Sequence, residues 1–273
     1  MSTNTTQAKP STALTKPLVE RIKLLTMNAR FAWWFGHVIV TISSLVYLLK
    51  RPFSYDNSKP WYYIAYLGAL LSYGITLWKT HGIPQINGSL VQKIIGDENA
   101  QYFIMAIIWL LSSPVFITLI PFGVYSSFHV VDFIRTAILP TFVPSVAQPP
   151  VPGQPRSIFQ QASDTIKRFK DVYYEKCMGI ISYIEVLGVM SIILTEALTF
   201  NISPLAVLFY GNFLRLRYAT SPHIRNVFGE LRNRMDKWML PPTANPKIPA
   251  FVGNGYTVIR DGLISLTKTE KTH

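Results

Sequence analysis

Cysteine and acidic side chains are both scarce in this chain of 273 residues. Cys177 is the single cysteine, so no disulfide can form within the chain, and a small disulfide-stabilised scaffold is excluded. Charged residues make up 15% of the sequence, whereas about a quarter is usual for soluble domains. With a hydrophobic fraction of 49%, the composition argues against an ordinary soluble protein.

The long stretch from Tyr102 to Val131 contains no Lys, Arg, Asp or Glu. As one straight helix it would measure about 45 Å, more than the roughly 30 Å of a bilayer's hydrocarbon core. Ser112-Ser113-Pro114 lies near its middle and Pro121-Phe122-Gly123 follows, and proline kinks or ends a helix. Two shapes fit this broken block: a kinked span that continues as an interfacial helix, or a helical hairpin that enters and leaves on one face.

Three further apolar blocks complete the membrane prediction. Spans are expected near 31–49 and 61–78, both with aromatic ends typical of a membrane interface, and they are expected to form an antiparallel pair. A last block, 179–214, is interrupted at Asn201–Pro204. We therefore predict an all-α integral membrane protein, with helical spans or hairpins plus basic amphipathic interfacial helices.

Composition changes divide the chain into five predicted regions. They are a disordered N-terminus (1–16), a membrane region (17–139), a proline-rich linker (140–156), an amphipathic helix followed by the final broken apolar block (157–214), and a basic cytosolic tail (215–273).

The chain carries 26 Lys and Arg against 14 Asp and Glu. Because the basic residues flank apolar blocks, they indicate anionic lipid as a partner and not nucleic acid. Basic flanks also predict that both termini are cytosolic. Four plain spans would place the basic segment 156–176 in the lumen, whereas two spans followed by two hairpins would keep it in the cytosol; we favour the hairpins.

The basic tail contains two predicted amphipathic helices. Such helices lie in the membrane interface, although docking on the protein's own membrane core is the alternative. In the first helix the apolar face comprises Ile224, Val227, Phe228, Leu231, Met235 and Trp238, and the flanking lipid or partner contacts are Arg225, Arg232, Arg234 and Lys237. In the second helix the face comprises Val252, Tyr256, Ile259 and Leu263.

Short patterns predict further local structure. Residues 16–30 and 157–176 both show the spacing of amphipathic helices, and Ser157 with Gln160 indicates an N-terminal capping pair. Asp132 and Arg135 are spaced for an ion pair on one helix turn. His37, inside the first span, is interpreted as a hydrogen-bonded packing residue.

Motifs for catalysis are missing from the sequence. There is no HExxH, no Cys/His cluster, no GxSxG and no phosphate-binding glycine loop, so neither a metal nor a cofactor is predicted. Glu185 and Glu196 are the intramembrane polar residues, and carboxylates at depth are a functional hypothesis by default. Their alternative role is packing with Arg215, Arg217 or a carbonyl.

Three stretches resemble the transmembrane protein 33 family, including its fungal pore-membrane and ER branch. They are SPVFITLIPFGVYSSFH (113–129), the apolar block that carries Glu185, and FLRLRYATSPHIRNVFGELR (213–232). The resemblance implies a non-enzymatic protein of the ER membrane and nuclear envelope that shapes tubular ER alongside reticulon-type proteins. In fungi it also implies a role in nuclear pore biogenesis and distribution, with C-terminal amphipathic helices that bind curved membrane and a karyopherin.

The leading functional hypothesis is therefore a membrane-shaping protein associated with nuclear pores, with nucleoporins among its expected partners. One alternative is a membrane scaffold that recruits soluble partners, such as a karyopherin, through the basic tail. A second alternative, from another class, is a small transporter or lipid-handling enzyme that uses Glu185 and Glu196.

Overall fold

The computed structural model describes residues 16–82, 96–148, 155–243 and 249–268, including the side chains of 251–262 and 265 in the last segment. All regular secondary structure within these ranges is helical. The prediction of an all-α protein is therefore confirmed. Residues 1–15 of the region expected to be disordered and residues 149–154 of the predicted 140–156 linker fall outside the described residues. The first part of that linker is not free of helix, because it contains the end of a short α-helix (Leu139–Phe142) and a 3-10 turn (Pro144–Ala147).

Within the described residues, the first part of the chain has six α-helices. The break predicted at Ser112–Pro114 is present, but the chain stays helical through Pro121, which lies in the first turn where its missing N–H costs nothing. The elements are α1 (Leu18–Thr26), α2 (Ala29–Lys50), α3 (Tyr55–His81), α4 (Glu98–Leu111), a 3-10 turn (Phe116–Thr118), α5 (Leu119–Phe133), a π turn (Ile134–Ile138), α6 (Leu139–Phe142) and a second 3-10 turn (Pro144–Ala147).

The second part has five α-helices in the segments that the structure describes. The predicted amphipathic helix and the start of the last apolar block are one continuous helix, since a π turn joins α7 to α8 without a break. The predicted interruption at Asn201–Pro204 is confirmed. The elements are α7 (Ile158–Tyr183), the π turn (Ile184–Val189), α8 (Met190–Leu198), α9 (Pro204–Thr220), α10 (Pro222–Met239) and α11 (Ala250–Lys268).

Three described helical stretches are long and apolar enough to cross a membrane: Ala29–Lys50, Phe116–Phe142 and Ile158–Leu198. The first corresponds to the span predicted near 31–49. The span predicted near 61–78 lies in α3, which is not among the three, so its crossing stays a prediction.

The chain folds as two compact units. The first contains Met1–Gly82 and Phe122–Lys176, and the second contains Ile83–Pro121 and Cys177–His273. In the first unit α2 and α3 form the expected antiparallel pair, joined by a short turn after Lys50. Gly36 and Gly68 bring the two helices into backbone contact, since a β-carbon on Gly68 would lie 2.8 Å from the carbonyl oxygen of Gly36.

Several polar side chains of the first unit have partners within that unit. His37 is buried, with Nδ1 3.0 Å from Ser126 Oγ, as expected of a packing residue. Asp132 pairs with Arg135 at 3.2 Å, as predicted, and also with Lys170 at 3.1 Å. The predicted cap of α7 is present, because the backbone N–H of Gln160 donates to Ser157 Oγ at 3.2 Å.

In the second unit α8 and α9 form a hairpin, and α4 packs on α9. Tyr102 of α4 stacks edge-on against Phe213 of α9, and Trp109 lies against Tyr210. Because contacts further along α4 meet earlier residues of α9, the two helices are antiparallel. This arrangement brings the polar N-terminal turn of α4 next to the C-terminal turn of α9.

Candidate functional site: a buried polar cluster and the C-terminal helix pair

Glu185 is the most deeply buried carboxylate among the described residues of the second unit, with 1% of its surface exposed. It lies in the π turn between α7 and α8. Tyr102 of α4 donates a hydrogen bond of 2.5 Å to Glu185 Oε1, and Tyr210 of α9 donates one of 2.9 Å to its backbone carbonyl. Two tyrosines from two helices therefore hold the π turn in place.

Arg217 supplies the positive charge of this cluster. Its side chain is buried, with Nη1 2.7 Å from Glu98 Oε2 and Nη2 4.0 Å from Glu185 Oε2. The guanidinium carbon also lies 5.2 Å from the centre of the Tyr102 ring. A guanidinium between two carboxylates and over an aromatic face is held by charge and by the ring quadrupole together. We call Glu98, Tyr102, Glu185, Tyr210 and Arg217 the polar cluster.

The two glutamates singled out in the sequence have separate surroundings. Glu185 packs with Arg217, one of the partners expected for it, whereas Arg215 bonds Asn212 instead. Glu196 accepts a 2.9 Å hydrogen bond from the side chain of Asn201, at the break between α8 and α9. The two carboxylates are about 16 Å apart along the helix, so they do not form one site.

Sequence reasoning missed Glu98 and Tyr102, which are in the polar cluster. They are one helical turn apart on α4, so they share a face, and that spacing was the available signal. The sequence placed Glu98 in a polar connector and Tyr102 at the start of an apolar block. Only the packing of α4 on α9 shows that both residues face Arg217.

The C-terminal helix pair, α10 and α11, is the second candidate site. Ser221 caps α10, since the N–H of Ile224 donates to its hydroxyl at 3.5 Å. Ile224 and Val227 are buried, so these two positions pack within the protein and do not face lipid. Of the other predicted positions, Phe228, Leu231 and Met235 are half-buried and Trp238 is exposed.

The basic residues predicted on α10 are at its surface: Arg225, Arg232, Arg234 and Lys237 are all exposed. Arg225 also stabilises the end of α9, because its guanidinium donates hydrogen bonds to the carbonyls of Tyr218 and Ala219. Arg234 lies 3.9 Å from Glu230, and both side chains are exposed. The remaining two cations, Arg232 and Lys237, are exposed at the surface of α10.

Helix α11 presents a different apolar face from the one predicted. Tyr256 turns toward α10, where its hydroxyl donates to Asp236 at 2.7 Å, and Val252 is half-buried. The exposed apolar residues are Phe251, Val258 and Ile259, with 75%, 74% and 65% of their surfaces exposed. Of the predicted face, Ile259 is therefore exposed, and the side chain of Leu263 lies outside the described residues.

Asp236 anchors α11 to α10. Arg260 donates to Asp236 at 3.1 Å beside the bond from Tyr256. The Tyr256 hydrogen bond and the Arg260 charge hold the pKa of Asp236 below its usual value. Partial burial and the bond to Asp236 raise the pKa of Tyr256 to about 12. The pKa of Arg260 is raised by its hydrogen bonds to Asp261 and Asp236, so the guanidinium stays charged.

The apolar spans and their helical packing define the class: this is an all-α integral membrane protein. The chain matches the family described as "Transmembrane protein 33/Nucleoporin POM33" over residues 11–269, and it belongs to that family. The resemblance seen in the sequence is thereby confirmed.

Its relatives include fungal proteins that match along most of their lengths. It is 30% identical to "Nucleoporin POM33" of Chaetomium thermophilum, over 84% of each chain. It is 28% identical to "Pore membrane protein of 33 kDa" of Saccharomyces cerevisiae, over 93% of this chain and 88% of that one. It is 27% identical to "Tetra-spanning protein 1" of Schizosaccharomyces pombe, over 91% and 88%. No solved structure matches the chain.

Proposed function

We propose that this chain is a non-enzymatic protein of the ER membrane and nuclear envelope that stabilises curved membrane and supports nuclear pore biogenesis and tubular ER organisation. The names of two relatives, a nucleoporin and a pore membrane protein, support the pore assignment. The short apolar helices of the second unit support the action on curvature, and their length is the observation on which the proposal chiefly rests.

The apolar helices of the second unit are short measured from the polar cluster. From Glu98 to Leu111, from Glu185 to Leu198 and from Arg217 back to Pro204, each helical path is roughly 20 Å long. A hydrocarbon core is about 30 Å thick. If the polar cluster lies near a headgroup layer, these helices end inside the bilayer, as a wedge that occupies one leaflet more than the other.

Exposed apolar residues at the far end of these helices fit that depth. Leu111, Leu198 and Phe200 are almost fully exposed there. Phe200 has a positive φ of 57°, which closes the turn between α8 and α9. Beyond the break after α4, Ile117 returns to contact Gly188, one turn from Glu185. Residues 98–118 therefore run away from the polar cluster and return toward it within the second unit, as a hairpin does.

The C-terminal helix pair would act at the same membrane surface, next to the headgroup layer. Phe251, Val258 and Ile259 would enter the headgroup boundary while Arg232, Arg234 and Lys237 contact anionic phosphates. Interfacial helices that add area to one leaflet favour curvature. Both termini are then cytosolic, and reticulon-type proteins and nucleoporins are the partners expected at such membranes.

A second candidate function, recruitment of a soluble partner such as a karyopherin, rests on the exposed basic residues of α10. Changing Arg232, Arg234 and Lys237 together to Gln separates the two functions in the full-length protein. If the protein is a scaffold, the triple variant should no longer bind its soluble partner but should keep its effect on vesicle shape. The hypothesis of a transporter or lipid-handling enzyme has less support, because Glu185 is hydrogen-bonded within the polar cluster and Glu196 lies about 16 Å away along the helix.

Protease protection of sealed microsomes tests the wedge. A tag inserted at Gln154 is digested without detergent if the hairpins return to the cytosolic face. A protected tag means ordinary crossings, and the wedge is then wrong.

Phe251→Ser in the full-length protein tests the C-terminal pair. Losing an inserted phenylalanine should weaken the preference for small, anionic vesicles by roughly tenfold. Phe53→Ser is the matched control, because Phe53 is also an exposed phenylalanine and lies in the turn between α2 and α3. Equal effects of the two changes would contradict a role for α11 in membrane binding.

A further inference from the structure

Glu196 lies beside the turn between α8 and α9, near the middle of a stretch that contains no Lys or Arg. That stretch runs from residue 177 to residue 214. The side chain of Glu196 is half-buried, and no cation pairs with it in the segments that the structure describes. Carboxylates at bilayer depth are costly and nearly always have a partner. Glu196 therefore needs a partner that its own charged residues do not supply.

The turn holds Glu196 and Asn201 side by side. The side-chain nitrogen of Asn201 donates to Glu196 Oε2 at 2.9 Å and to Thr199 Oγ1 at 3.0 Å. These two acceptors account for both of its N–H groups. Among the described residues, Asn201 Oδ1 and Glu196 Oε1 have no hydrogen-bond partner. We call Glu196, Thr199 and Asn201 the tip cluster.

The tip cluster lies at the far end of the short apolar helices. Glu196 is about 16 Å along the helix from Glu185, and the apolar side chains of Leu198 and Phe200 are almost fully exposed beside it. This placement rests on the proposed function, in which α8 and α9 end inside the bilayer. An unpaired carboxylate in hydrocarbon takes up a proton instead of keeping its charge, and the protonated group has one O–H to donate.

We propose that two copies of this chain associate inside the membrane through their tip clusters. The protonated carboxyl of Glu196 in each copy donates to Asn201 Oδ1 of the other. A donor and an acceptor on one tip are self-complementary, so a two-fold axis forms both bonds at once. A second copy meets this requirement by symmetry, which favours it over an unrelated partner. Hydrogen bonds of this kind join helices in bilayers.

Oxidative cross-linking of the full-length protein in liposomes tests the pairing. In a Cys177→Ser background, Phe200→Cys places a thiol next to Asn201 and should give a disulfide-linked dimer. Leu111→Cys in the same background is the matched control, because Leu111 is also almost fully exposed, at the far end of α4. It should give much less dimer at the same protein-to-lipid ratio. Equal yields would indicate random collisions and would overturn the proposal.

Substitutions of Glu196 test the hydrogen bond itself. Energy transfer between labelled copies, followed as the protein is diluted in lipid, measures self-association. Glu196→Gln should associate like the wild type, since its amide still donates, whereas Glu196→Met should weaken association by roughly tenfold. Ser191→Ala is the control, because it removes an exposed hydroxyl of α8 farther from the tip and should change nothing. Unchanged association of Glu196→Met, with or without a lower melting temperature, would show a role confined to one chain.

A thiol reagent that cannot enter lipid separates this inference from the proposed function. It is applied to Phe200→Cys, reduced and diluted in lipid so that the protein is monomeric. Protection of the thiol is expected. Reaction would place the tip in water, which would overturn both the wedge and the pairing. A protected thiol without a cross-linked dimer would leave the wedge standing and overturn the pairing alone.

Discussion

Tyr102 and Glu185 are 83 residues apart in the sequence, and their side chains share a hydrogen bond of 2.5 Å. The bond joins α4 to the π turn that ends α7, so it ties a short apolar helix to the long one. Because Glu185 is buried, its carboxylate depends on this hydroxyl and on the more distant Arg217. The stability of the second unit should therefore be sensitive to single atoms in the polar cluster.

Tyr102→Phe removes that hydroxyl and leaves the ring in place. A buried carboxylate that loses its donor costs about 1–3 kcal/mol. We expect a matching fall in the free energy of unfolding, measured as a lower melting temperature of the full-length protein in detergent.

Tyr183→Phe provides the control, because Tyr183 donates an equally short bond to Glu230 at an exposed site. Water can replace an exposed hydroxyl, so this change should stay within about 0.5 kcal/mol of the wild type. If the two variants have the same melting temperature, the buried hydrogen bond contributes no more stability than the exposed one, and the interpretation of the polar cluster is wrong.

Arg217→Met should be more damaging than Glu185→Gln. The first change leaves two carboxylates beside each other without their cation, and breaking a buried ion pair from one side costs about 3–5 kcal/mol. The second leaves Arg217 paired with Glu98 and keeps an acceptor for Tyr102. Melting temperatures of both variants would establish the order.

The double variant Arg217→Met/Glu185→Gln completes a thermodynamic cycle. Neutralising the glutamate should recover part of the stability lost with the arginine, since the uncompensated charge is removed. Strict additivity of the two losses would show that Glu185 and Arg217 do not interact across their 4.0 Å separation.

Local features of this fold could be read from the sequence. Proline and its neighbours mark the breaks at Ser112–Pro114 and Asn201–Pro204, and the cap at Ser157 and the ion pair of Asp132 with Arg135 depend on residues within one turn. The continuity of α7 with α8 was missed. A change from polar to apolar composition near Cys177 resembles a boundary, but a helical backbone does not need a uniform surface.

Contacts between distant segments could not be read from the sequence. Glu98 meets Arg217 only because α4 packs antiparallel on α9, and no local pattern encodes that pairing. The position of Tyr256, predicted on the outward apolar face of α11, differs for a related reason. Tyr256 completes an apolar stripe by spacing, yet the carboxylate of Asp236 on α10 provides its hydroxyl with a partner and turns it inward.

Docking of α11 on α10 should weaken at both ends of the pH scale. The depressed pKa of Asp236 means that its contribution is present above the ordinary value near 4 and is lost as the pH falls through the lower folded value. For Tyr256, the contribution is present below the ordinary value near 10 and is lost as the pH rises through about 12. Hydrogen exchange of α11 against pH would measure both limits.

Asp236→Asn should speed amide exchange in α11 at neutral pH by roughly two- to fivefold, the range for an ion pair near the protein surface. It should also remove the acid limit. Asp261→Asn is the control, because Asp261 bonds the same Arg260 from its own helix and does not reach α10. Faster exchange in this control would show that the charge of Arg260, and not the link through Asp236, holds the helix.

Gly68→Ala should destabilise the pair of α2 and α3, whereas Gly229→Ala should stabilise the protein. The new methyl at Gly68 would lie 2.8 Å from a backbone oxygen and 2.7 Å from a methyl of Ile39, so the helices must separate at a cost of about 1–3 kcal/mol. The β-carbon at Gly229 meets nothing within 4 Å, and alanine is favoured over glycine in a helix by roughly 0.5–1 kcal/mol. Opposite shifts in melting temperature from one and the same substitution would show that close backbone contact, not helix propensity, requires glycine at position 68. Shifts of the same sign would show that α2 and α3 approach less closely than this structure has them.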